Sequence, residues 1–277
     1  MKRNQIIVVS ACVALLIAIY FFGNFKKPKD EGAMPMGNGH AQPQQAEQPE
    51  ALDIEAYIAD VKSKADGPVR QTIDAAEKTY NYNTLVEVYK KMDKPLAVAY
   101  YVVKEAEKEN SVKQYVAAGD YNATLVQSAP DDKARKFLGG NIITCYKKAV
   151  ELDSANTPNR IRLAGAYMEE GSQPMNGVLM LLDVVKKDST NVDAQLMLGR
   201  FGLISGQIDK AIARFEKVLY LQPQNSEALF LLAEAYNDQG NKQKAIDLLE
   251  RCKKTVKDPA TKKDIEKAIE TIKKPKS

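Results

Sequence analysis

The chain has 277 residues, 44% of them apolar and 27% charged, with a formal net charge of +4. That balance supports a buried core and the charge is mild; the lysines near the C-terminus fit a solvated capping helix better than contact with anionic lipid or nucleic acid, and no nucleic-acid partner is expected. Three cysteines (Cys12, Cys145, Cys252) and a single histidine (His40) give neither zinc spacing nor an even disulfide count, so no metal or redox cofactor is expected.

The first element is apolar. Ile6 to Phe22 is a run of seventeen residues broken only by Ser10, with Lys2 and Arg3 before it and Lys26, Lys27 and Lys29 after it. At ~1.5 Å of rise per residue this is near the lower limit for crossing a bilayer, and Gly23 to Phe25 extend it. A cleaved secretory signal needs small residues before the cut, whereas this run ends in bulky IYFFGNF. A lipoprotein reading through Cys12 leaves too short an apolar stretch before that cysteine. Residues 1–25 are therefore expected to form an uncleaved transmembrane helix. Positive charge on the two sides is nearly equal, so charge does not decide orientation. Residues 26–50, rich in Pro, Gly and Gln and without apolar period, read as a flexible tether that includes a solvated His40.

From residue 51 onward the pattern is helical. Residues 51–110 read as short helices followed by a degenerate helix pair over 82–110. Residues 111–156 read as a stretched repeat of about 46 residues. Its first helix carries Ala118 and Tyr121, its second Tyr146 and Ala149, with Pro130 between them. Units at 157–191, 192–225 and 226–259 are clearer. In the second and third, Leu198-Gly199 and Leu232-Ala233 mark helix A, and Ala211 with Phe215, or Ala245 with Leu249, mark helix B. Two antiparallel helices approach closely only where side chains are small, with larger ones flanking the contact. Gly206 and Gly240 are placed to end helix A in a left-handed turn. Over 260–277, Ile265, Ala268, Ile269 and Ile272 form one apolar stripe on a Lys-rich helix, as a terminal cap requires.

These residues, at 34-residue spacing, resemble the tetratricopeptide repeat (TPR). The resemblance is strong over 192–259 and good over 157–191. Gly202 stands where the family usually has Tyr, and Lys257 where it has Pro. The resemblance implies an all-α solenoid of antiparallel helix pairs. One span, a tether and repeats together resemble membrane-anchored TPR proteins of bacterial envelopes, which implies an inner-membrane protein with its repeats in the periplasm.

The sequence contains no phosphate loop, no nucleophile elbow and no histidine placed as a base, so an enzyme, a cofactor and a small-molecule substrate are not expected. Asp131-Asp132 fits a helix N-terminus better than a metal site. Cys252 holds a small-residue position. The TPR resemblance implies instead a partner groove lined by helix A at positions 5, 9, 12 and 13. Those residues are Leu196, Arg200, Leu203 and Ile204, then Phe230, Glu234, Asn237 and Asp238. The unit at 157 adds Ile161, Gly165, Met168 and Glu169. The Lys/Asn pair with which some TPR proteins clamp a C-terminal carboxylate is missing from these positions. The expected partner is thus a partly apolar peptide or helix of another protein, held in the groove with its charges near Arg200 and Glu234. The alternative is a permanent subunit of a membrane complex, of the kind found in cytochrome c maturation or beside the Sec machinery.

Overall fold

A computed structural model describes residues 52–169 and 173–274. The expected span at 1–25, with Cys12, and the tether at 26–50, with His40, lie outside the described residues. Among the described residues no helix is long and apolar enough to cross a membrane. These residues form thirteen α-helices and one 3-10 turn, without strands. They divide into two compact units that meet in sequence at Val184/Val185.

The N-terminal unit contains α1 (Ile54–Ser63), α2 (Gly67–Lys78), α3 (Tyr82–Lys91), α4 (Pro95–Glu109) and α5 (Val112–Leu125). The 3-10 turn Val126–Ser128, α6 (Asp132–Leu152), α7 (Thr157–Glu169) and most of α8 (Pro174–Lys187) complete it. Its helices begin where a short polar side chain caps the first free amides. Asp53, Asp66, Asn81, Ser111 and Asp131 each accept from a backbone N–H three residues on. Asp131 is thus a cap, accepting from Ala134 N at 2.7 Å. Pro95 opens α4, where its missing amide has no cost. Ile73, Leu85, Tyr89, Ala97 and Val98 make one core, while Val103, Ala106, Ala118, Cys145 and Ala149 make another.

The stretched repeat differs from expectation by one residue of register. Gly119 is the point of closest approach, where a Cβ would lie 2.5 Å from Tyr146 Cε1, and Ala118 beside it packs with Cys145 and Ala149. One turn on, the expected Tyr121 is only half-buried. Asn122 is the fully buried neighbour, donating to Ala118 O at 2.9 Å and accepting from Asn141. Ala118-Gly119 offers two small residues in succession, and nothing local distinguishes which of them lies under the α6 aromatic ring.

The C-terminal unit contains α9 (Val192–Ile204), α10 (Ile208–Leu221), α11 (Ser226–Asp238), α12 (Lys242–Thr255) and α13 (Pro259–Lys273). Asn191, Asn225, Asn241 and Asp258 cap four of them. A Cβ on Gly199 would lie 2.4 Å from Phe215 Cε1, so the aromatic ring of α10 rests directly on the α9 backbone. Ala211 and Ala245 are fully buried. Gly206 and Gly240 adopt φ of +73° and +82°, the left-handed turn that joins each A helix to its B helix. Leu229, Leu232, Leu249, Ile265 and Ile269 continue the same core into α13. That last helix turns Lys262, Lys263 and Glu266 outward, so the apolar stack ends on a polar face.

Candidate functional site

Equivalent positions on α9 and α11 form the face that the repeat pattern assigns to a partner, and the structure sorts its members into two groups. Leu196 and Phe230 are core residues, only 7% and 5% exposed, packed in the same cluster as Phe215 and Leu229. Ile204, by contrast, is 84% exposed, and Asp238 is exposed as well. Leu203, Arg200, Glu234 and Asn237 are half-buried at the boundary. The apolar centre expected on this face is thus folded inward. An aliphatic side chain and polar groups remain available.

The charges also pair differently from the expected opposition of Arg200 and Glu234. Arg200 Nη2 donates to Glu227 Oε1 in the first turn of α11, which ties two successive A helices together. The groove positions of the repeat do not include Glu227. The signal was present in its place at the second position of the repeat, one helical turn from Phe230, facing the preceding A helix. With Arg200 occupied, the half-buried Glu234 carboxylate has no cation or hydrogen-bond donor opposite it among the described residues. Burial, with a smaller contribution from the Asp238 charge one turn on, pushes its pKa up to about 7. A carboxylate in this state is easily neutralised by a proton or by a cation brought from outside.

The same unit has a cavity of about 430 Å³ between α10, α11 and α12, with Leu219, Tyr220, Leu232, Tyr236 and Leu248 in its lining. Tyr236 is held in that lining by donating to Glu216 Oε1 at 2.9 Å, while Lys244 Nζ lies 4.6 Å above its ring. Tyrosine at this position of helix A therefore links neighbouring repeats. Gly202 has no side chain for that link, and a Cβ there would lie 3.1 Å from Ala211 Cβ.

In the N-terminal unit, Ile161 and Met168 are half-buried, and Met168 Cγ fills the space that a Gly177 side chain would need, 2.7 Å from its ideal Cβ. Gly165 is buried within α7 and Glu169 is exposed at its end. Arg160 at the start of α7 donates to Asp183 Oδ2 at 2.5 Å. Among the described residues no cluster of His, Cys, Asp and Glu is arranged to hold a metal. Cys145 and Cys252 are buried thiols whose pKa burial pushes up to about 12. Cys252 Sγ contacts Ser226 O at 3.3 Å, filling the small-residue position between helices rather than presenting a nucleophile.

Residues 202–263 match the tetratricopeptide repeat family. The peroxisomal targeting signal receptor of Saccharomyces cerevisiae is 30% identical over 125 residues, which is 43% of this chain and 20% of that protein. Superkiller protein 3 of the same yeast is 26% identical over 139 residues, 48% of this chain and 10% of that protein. The chain thus spans a fifth or less of the length of these relatives. Among solved structures, a crystal structure of MamA protein is 19% identical, covers 65% of this chain and 92% of that one, and superposes with a TM-score of 0.47. With their 34-residue spacing, small-residue helix contacts and glycine turns, residues 202–263 carry tetratricopeptide repeats.

Proposed function

We propose that this chain is a non-enzymatic adaptor, tethered to a membrane by residues 6–22, that holds a basic and partly aliphatic segment of a protein partner against the α9–α11 face. The observation that carries the reading is Glu234, a half-buried carboxylate with no counter-charge, beside Asp238 and within the same face as the exposed Ile204. A lysine, an arginine or a free α-amine would neutralise it, and an aliphatic neighbour would cover Ile204. Charge complementarity of this kind sets partner choice more than raw affinity. A relative named as a targeting-signal receptor supports a protein or peptide as the partner class. The envelope setting, with the repeats in the periplasm of a bacterium, rests on the resemblance of the layout. It is tested by the site of protease cleavage in cells with opened outer membranes, where cutting within 26–50 is expected.

The binding reading is tested on an array of random peptides probed with the purified chain. Captured sequences are expected to be enriched in Lys or Arg next to Leu, Ile or Val. Glu234→Lys should abolish that enrichment while leaving the helical content unchanged. Capture that is indifferent to peptide charge, or identical for Glu234→Lys, would remove the α9–α11 face from the account.

A further inference from the structure

Helix α8 carries an apolar stripe that the repeat does not use. Met175, Leu179 and Leu182 are 56%, 60% and 39% exposed. At about 100° per residue their spacing of four and three places them within an arc of about 60° on one side of the helix. A different side of α8 makes the core contacts through Gly177, Val178, Leu181 and Val184. Gly177 sets that side against α7, since a Cβ there would lie 2.3 Å from Ala164 O. The stripe is also a departure from the pattern of its own family. The equivalent outward positions are Asp209, Ala213 and Glu216 in α10, and Gln243, Asp247 and Glu250 in α12. Only α8 replaces them with one thioether and two leucines, and its last turn carries Lys186 and Lys187.

We infer that the outer side of α8 is a membrane-contact surface that lays Met175, Leu179 and Leu182 into the lipid interface. The inference rests on the reading of residues 6–22 as a span. Three side chains are far short of the ~800 Å² per partner, from some 20–30 residues a side, that a specific protein interface buries. A second copy of the chain or a globular partner would therefore need contacts that this stripe does not supply. A bilayer sets no such minimum, because weak apolar insertion is sufficient when another anchor already holds the protein at the surface. The 25 residues of the 26–50 tether are that anchor's reach. Even fully extended, that many residues reach no further than ~90 Å, so the repeats stay near the bilayer that the span occupies. Aliphatic and thioether side chains followed by lysine suit the boundary between acyl chains and anionic headgroups.

The test uses the full chain with Cys12→Ser, reconstituted in phosphatidylcholine–phosphatidylglycerol vesicles. Cys145 and Cys252 are buried and do not compete for label. An environment-sensitive fluorophore is placed at Leu179→Cys, Leu182→Cys or the control Asp247→Cys. Emission at the two α8 sites is expected to shift to the blue and to be quenched severalfold more strongly by nitroxide-labelled lipid than at Asp247→Cys. That difference should persist when the protein is diluted in lipid. With the label at Met175→Cys, a Leu179→Asp/Leu182→Asp pair should abolish the quenching without altering the helical content. Equal, water-like emission at all three sites would overturn the inference, and so would protection at α8 that vanishes on dilution, which marks a second copy. Carbonate extraction of the same vesicles tests the span separately. If the chain washes off, the three probes are read again with an N-terminal hexahistidine tag held on nickel-chelating lipid, where the same two results support or overturn the stripe.

Discussion

The two units solve the same packing problem with different residues. In the C-terminal unit, both turns in the left-handed region are made by glycine, Gly206 and Gly240. In the N-terminal unit the same region is occupied by Tyr80, Asp93 and Asn110, at φ of +52°, +54° and +47°. The close helix contact is also shared. Gly199 rests on Phe215 in one unit, and Gly119 rests on Tyr146 in the other. The first pair is sixteen residues apart and the second twenty-seven, because the Val126–Ser128 turn and a 21-residue α6 intervene. What recurs is a geometry: a bare stretch of backbone under an aromatic ring, and a reversal of the chain. Sequence identity is only one way of writing it.

The largest effects should come from the residues that both units use in full. Phe215→Ala removes a ring with no exposure from the C-terminal core, and Leu138→Ala removes an equally buried isobutyl group from the N-terminal unit. Costs of ~3–5 and ~2–5 kcal/mol are expected. If the units fold independently, hydrogen exchange should show each loss confined to its own helices; a loss spread equally over both would mean one cooperative fold.

Ala211→Leu and Ala245→Leu add volume at fully buried contacts and should cost ~1–3 kcal/mol each. Gly119→Ala tests whether the same contact governs the other unit, and a comparable drop in thermal stability is expected there. A neutral result would show that Tyr146 moves aside freely and that the parallel with Gly199 is superficial.

Glu234→Gln should stabilise the free protein at pH 8 by ~1–3 kcal/mol and have little effect at pH 4.5. The sign follows from the direction of the shift. The folded-state pKa, about 7, lies above the ordinary 4.5, so the native state holds a proton that the unfolded state has released. Wild-type stability therefore falls as pH rises from about 4.5 to about 7 and is level above that. Chemical denaturation at both pH values measures the difference, and the opposite sign would place Glu234 against an unseen cation.

Smaller still is the effect at the turns. Tyr80→Gly should raise stability by ~0.5–1 kcal/mol, because a side chain in the left-handed region costs ~1–2 kcal/mol and glycine returns part of that as unfolded-state entropy. Gly206→Ala should lower it by a similar amount. Ala260→Leu, on the exposed first turn of α13, should stay within ~0.5 kcal/mol. If Tyr80→Gly destabilises, its edge contact with Tyr82, at 6.4 Å, outweighs the backbone term.

This contrast also explains what the sequence makes legible. Gly206, Ala211 and Phe215 fall in order at family spacing, so the C-terminal repeats can be read residue by residue. Ala118-Gly119 is ambiguous by one position because both residues are small, and the long α6 hides the periodicity that would resolve it. The candidate face is half legible for a related reason. Position alone selects Leu196, Arg200, Phe230 and Glu234 together. Whether a given side chain folds inward depends on the neighbouring helix, which buries Leu196 and Phe230 and leaves Ile204 out. The Arg200–Glu227 pair joins residues 27 apart, a separation that no helical period points to.

The central claim is that an external cation completes the Glu234 site. The most direct measurement is the affinity of a Lys-containing peptide from the array, followed by calorimetry between pH 5.5 and pH 8.5 for the wild type and for Glu234→Gln. The account predicts that wild-type affinity rises severalfold with pH through the neutral range and then levels off, while Glu234→Gln binds weakly with a flat profile. Equal affinities for the two proteins at every pH would contradict it.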